Sequence, residues 1–97
     1  MRKKRNNQSS KYQSLKELQT IPGVGKSIAS DLLSIGIHTV KDLKNRNPEK
    51  LYNDYCNFIG YKADKCLLYV FRCAVYYSSK TKHEPLKLLW WNWRDKN

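Results

Sequence analysis

Apolar residues in this chain recur at helical spacing, and no stretch alternates as a half-buried strand would. Leu15 and Leu18 lead into Ile21-Pro22-Gly23-Val24-Gly25, where proline ends one helix and the glycines permit a tight turn. A second helix is predicted from Lys26 to about Leu33, with Ile28, Ala29, Leu32 and Leu33 on one face and Gly36 as its C′ glycine. Thr39-Val40-Lys41-Asp42 has the form of a capping box with Asp in place of Glu, opening a short helix through Leu43. Asn47 before Pro48 and Glu49 reads as an N-cap followed by proline at the first helical position. The helix it opens carries Leu51, Tyr52, Tyr55 and Phe58 as its apolar stripe and stops at Gly60. From Ala63 to Ser78 the chain is apolar nearly all round, interrupted mainly by Lys65 and Arg72, the pattern of a central helix. Pro85 opens a last turn or two in which Leu86, Leu89, Trp90 and Trp93 form one stripe while Trp91 points away. The expected class is all-α.

Composition narrows the picture. With 97 residues and 40% hydrophobic content, one folded domain is expected, and a multidomain enzyme is not. Residues 1–11 are polar and basic and predict a disordered arm, leaving 12–97 as a single domain. The 19 Lys and Arg outnumber the 8 Asp and Glu, for a net charge of +11 that favours a polyanionic partner, nucleic acid first. No apolar run approaches the roughly 18 to 20 residues that cross a bilayer, and the basic start leads into Asn, Gln and Ser rather than a signal-peptide core. Cys56, Cys66 and Cys73 form no C-x-x-C pair, which fits a reducing cytoplasm better than a disulfide framework. Whether they and His83 gather around a metal is left open by their spacing.

The stretch Leu18-x-x-Ile21-Pro22-Gly23-Val24-Gly25-x-x-x-Ala29-x-x-Leu32 carries most of the chemistry. Its glycines let backbone approach a ligand closely, and the free amides of Gly23, Gly25 and Lys26 at a helix N-terminus form an anion site. Gly25-Lys26-Ser27 is not the end of a P-loop, because Thr20 stands where that motif needs glycine and no strand precedes it. The stretch resembles the helix-hairpin-helix motif of DNA repair and recombination proteins. A shift of 37 residues carries Gly23 onto Gly60, Leu18 onto Tyr55, Ile21 onto Phe58, Val24 onto Tyr61, Ala29 onto Cys66, Leu32 onto Tyr69 and Leu33 onto Val70. Gly25 falls on Lys62, so the second copy is degenerate, and Cys66 takes the small crossing position. The fold expected is therefore a tandem helix-hairpin-helix with a Trp-rich C-terminal segment. The resemblance implies two hairpins gripping phosphates across one minor groove. It also implies a monovalent cation, K+ or Na+, on the backbone carbonyls of Gln19, Ile21 and Val24.

Four segments together extend the likeness: residues 21–27, 36–43, 68–77 and Trp90-Trp91-Asn92-Trp93. They resemble the small bacterial pathogenicity-locus family of helix-hairpin-helix proteins, some of whose members carry a mitomycin-resistance label. That family implies no reaction. The acidic residues are scattered, and Ser27 stands where lyase-type glycosylases place their nucleophilic lysine. His38 and His83 fall in polar loops and read as surface residues. The expected function is non-catalytic, sequence-independent binding of duplex or structured DNA in repair or damage resistance. Its expected contacts are Pro22, Gly23, Val24, Gly25, Lys26, Ser27, Gly60, Lys62, Lys65 and Arg72. Lys65, Tyr69, Arg72 and Tyr76 share one helix face, which reads either as a nucleic-acid surface or as a solvated face with snorkelling side chains. The alternative is a protein-interaction adaptor whose partner meets Trp91 and neighbouring aromatics.

Overall fold

The computed structural model describes residues 6–95, with side chains from Lys11 onward. Within that range the protein is all-helical: α1 Asn6–Leu18, α2 Lys26–Ser34, α3 Pro48–Ile59 and α4 Lys65–Ser79, with 3₁₀ turns at Val40–Leu43, Pro85–Leu88 and Trp90–Trp93. α1 packs on α2 and α3 on α4, and α4 also carries the Trp90–Trp93 turn. α1 begins at Asn6, so residues 6–11 of the expected disordered arm are helical. Once Leu15 and Leu18 anchor the helix, each further residue adds a hydrogen bond at little cost, so polar sequence extends it. Residues 1–5 lie outside the described range.

Local signals set the ends of the elements. Asn47 Oδ1 accepts from the amides of Glu49 and Lys50 at 2.9 and 3.2 Å, with Pro48 next in the chain. Gly36 ends α2 in a Schellman arrangement, in which the Ile37 amide donates to the Leu32 carbonyl at 3.0 Å and the Gly36 amide to that of Leu33 at 3.1 Å. The capping box is complete, since Thr39 Oγ1 accepts from the Asp42 amide while Asp42 Oδ2 accepts from those of His38 and Thr39. These bonds, the one from the His38 amide foremost, hold the Asp42 carboxyl below its ordinary pKa. Glu17 Oε2 then accepts from the Val40 amide at 2.9 Å and pins this connector to α1.

One core runs through both halves. Leu18, Ile21, Val24, Ala29 and Leu32 from the first pair of helices and the turn between them meet Leu51, Tyr52, Leu67, Leu68, Val70 and Phe71 from the second pair. No polar side chain is buried among the described residues. The C-terminal segment forms two 3₁₀ turns where one continuous helical stripe was expected. Leu86 is 70% exposed, so it leaves the proposed stripe. Side chains satisfy the carbonyls here instead of a helix: Trp93 Nε1 donates to Lys87 and Asn92 Nδ2 to Leu86, each at 2.8 Å. Trp90 packs against the core and Trp91 is 46% exposed.

Candidate nucleic-acid interface

The first turn, residues 19–25, is built inward from its apolar positions. Ile21 and Val24 are buried, and the Val24 amide donates to the Ile21 carbonyl at 3.0 Å, which closes the turn. Gly23 has φ +87°, and a Cβ there would come within 3.0 Å of Trp90 Cδ1. The turn thus needs glycine twice, for its left-handed backbone and for the tryptophan behind it. Outward, Gly25, Lys26 and Ser27 are exposed. Gly25 is the N-cap of α2 and provides no side-chain bond, and a Cβ on it would meet nothing within 4 Å. Among the described residues, no protein acceptor serves the amides of Lys26 and Ser27, and Lys26 enters no ion pair. A helix N-terminus with free amides, open space and an unpaired lysine is suited to a phosphate. The three carbonyls named for a cation come from this turn, and that of Ile21 already accepts one hydrogen bond.

The second turn, residues 60–64, is two residues shorter and chemically different. Its N-cap is Asp64, whose Oδ1 accepts from the Cys66 amide at 2.9 Å, so a carboxylate already sits where an anion would bind. Gly60 adopts φ +86° and stops α3, but the residues matched to the inner face of the first turn do not pack. Phe58 is 65% and Tyr61 68% exposed, whereas their partners Ile21 and Val24 are buried. Cys66 is exposed too, so it is not the helix-crossing residue that Ala29 is. Aligned on the starts of their second helices, the two units differ by 39 residues, placing Ala29 with Leu68 and Leu32 with Phe71, all buried. A shift of 37 cannot represent both sides of a turn that has lost two residues.

On the face of α4 that carries Lys65, Tyr69, Arg72 and Tyr76, the C-terminal segment engages Lys65, Arg72 and Tyr76. Arg72 is only 20% exposed in its side chain. It pairs with Glu49 at 3.0 Å and Asp95 at 2.9 Å, and donates to the Trp93 carbonyl at 2.7 Å. Lys65 reaches Asp95 at 3.1 Å, and Tyr76 lies 5.5 Å from Trp93 between ring centres. Arg72 is therefore a structural tie rather than a free cation, because its planar donors are matched by two carboxylates and a carbonyl. Its partners Glu49 and Asp95 are each 23 residues away in sequence, beyond any local pattern. Both cations hold the Asp95 carboxyl below its ordinary pKa, with the Lys65 bond the larger cause. Lys62 remains exposed and outside the ion pairs of the described residues.

The cysteines and histidines take separate places. Cys73 is buried against the Lys87 carbonyl, and burial pushes its thiol up to about 11. Cys56 Sγ accepts from the Ala63 amide at 3.3 Å, while His83 stacks on Tyr77 and reaches its carbonyl at 2.8 Å. Among the described residues, no group of three His, Cys, Asp or Glu side chains is placed to hold a metal ion. No helix of the described residues is long and apolar enough to cross a membrane.

This all-helical chain belongs to the family described as the pathogenicity locus (Cdd1), whose model matches residues 11–97. It is similar to a protein of Streptomyces lavendulae named mitomycin resistance protein McrB. The two are 31% identical over 77 residues, covering 79% of this chain and 70% of that one. No solved structure matches the chain.

Proposed function

We propose that this protein is a non-catalytic, sequence-independent DNA-binding domain that holds the sugar-phosphate backbone at the first turn. The observation that carries the reading is the open N-terminus of α2, where Gly25 leaves the amides of Lys26 and Ser27 without a protein acceptor. The net charge of +11 supports it by favouring a polyanion. Lys26 adds a phosphate contact, Pro22, Gly23 and Val24 shape the turn, and Lys62 adds charge from the second turn. The carbonyls of Gln19, Ile21 and Val24 would hold a hard monovalent cation through oxygen donors alone, which would bring positive charge to the same phosphate. This is a helix-hairpin-helix reading with one working hairpin, acting in the cytoplasm in DNA repair or damage resistance.

The test is duplex binding followed against salt. Affinity is expected to fall steeply with ionic strength, and Gly25→Val is expected to abolish binding without unfolding the chain. The backbone at Gly25 has φ −96°, which any residue adopts, so the valine obstructs the ligand rather than the turn. A folded Gly25→Val protein with unchanged affinity would refute the assignment. A wild-type chain that does not bind DNA would favour the adaptor reading, for which the exposed Trp91 is the anchor.

A further inference from the structure

Beside the first turn lies an open groove of about 390 Å³, within the range of small-molecule sites, lined among others by Gly23, Ile28, Asp31, Tyr55, Tyr61 and Trp90. The groove thus joins the first turn, the second turn and the C-terminal segment. Its lining holds two carboxylates, Asp31 and Asp64, and no lysine or arginine. A phosphate is disfavoured inside it, whereas a ring that donates hydrogen bonds is not. Asp64 is occupied at the head of α4. Asp31 is different: its Oδ1 accepts from Tyr55 Oη at 3.0 Å, and its Oδ2 has no partner among the described residues.

Burial raises the pKa of Asp31, the Tyr55 bond opposing that shift. With its folded value above its unfolded one, this group favours folding below the unfolded pKa and loses that contribution as pH rises through the folded pKa. The rings of Tyr61 and Trp90 add the flat surfaces on which a base stacks without regard to sequence.

We infer that this groove receives an unpaired guanine base from DNA whose backbone is held at the N-terminus of α2. The inference rests on the DNA-binding reading above. Guanine is favoured because its N1–H and N2–H donors lie side by side and match a carboxylate with a free oxygen, whereas thymine offers one N–H between two carbonyls. The backbone grip supplies affinity, and the groove supplies preference for DNA with a displaced base.

The experiment titrates the full-length protein with three labelled duplexes that differ only at one site: fully paired, one bulged guanine, or one bulged thymine. The bulged-guanine duplex is expected to bind about tenfold more tightly than the paired one and several-fold more tightly than the bulged-thymine one. Asp31→Asn keeps the size of the side chain and an acceptor for Tyr55. It is expected to bring the two bulged duplexes within twofold of each other while leaving the paired duplex unchanged. Equal affinity for paired and bulged-guanine DNA overturns the inference and spares the backbone grip. Equal affinity for the two bulges, or discrimination that survives in Asp31→Asn, overturns it as well. Failure of all three duplexes to bind the wild-type chain defeats the DNA-binding reading itself.

Discussion

The two turns of this protein share an outline, a helix stopped near a left-handed glycine and a second helix restarted a few residues later, yet they differ at the one atom group a ligand would meet. α2 begins at Gly25 with its leading amides free, while α4 begins at Asp64 with one of them bonded to its own side chain. A carboxylate that caps a helix satisfies the donors and the dipole that a phosphate would otherwise satisfy. The inner faces differ in step with this. Ile21 and Val24 are buried around the first turn, and their sequence counterparts Phe58 and Tyr61 are turned out to solvent at the second. Capping and ligand binding are thus competing uses of one helix end, and a single residue decides between them.

The sharpest way to break the contrast is Gly25→Asp, which gives the first turn the cap of the second. Duplex affinity is expected to fall about tenfold to a hundredfold, the worth of a charge-assisted hydrogen bond. Stability is expected to rise by a few tenths of a kcal/mol, because Asp is a better N-cap than Gly. A titration paired with a thermal melt reads both, and a joint loss of affinity and stability would mean that the turn had been distorted instead.

Next in size is Arg72→Ala. Removing the tie between α4, Glu49 and the C-terminal segment is expected to cost about 1–3 kcal/mol, visible as a lower melting temperature. The slope of log affinity against log salt should not change. A reduced slope with normal stability would return Arg72 to the DNA surface.

Lysines test the same difference more gently. Lys26→Ala is expected to lower the salt slope by about 0.9, one phosphate contact, whereas Lys65→Ala, already paired with Asp95, is expected to leave it unaltered. Equal effects of the two would place both turns on DNA.

The smallest effect is one of acidity. Asp42 and Asp95 both have folded pKa values below the ordinary 3.8. Their contribution is present above the unfolded pKa and is lost as pH falls through the lower folded values. Tryptophan fluorescence, followed from neutral pH downward, should report loosening of the Trp90–Trp93 turn in acid, and Asp95→Asn should remove part of that change. An acid transition identical in the variant would show that Asp95 does not hold the segment.

Short-range chemistry was legible before any coordinates. Asn47-Pro48, Thr39 with Asp42, Gly36 and the Ile21–Gly25 turn all act within five residues, so their spacing alone foretells caps, stops and an open helix end. The all-helical class followed from apolar periodicity for the same reason. What the sequence could not determine depended on partners far along the chain. Whether Arg72 faces solvent was settled by Glu49 and Asp95, and the packing of Gly23 by Trp90. The two-residue difference between the turns escaped the repeat because similar residue types matched at a shift of 37, and only burial distinguishes that register from 39. Local hydrogen bonds are encoded by neighbours. Register, burial and ion pairing are decided by which distant side chains the finished fold brings into contact, and for this chain only the tertiary structure holds that information.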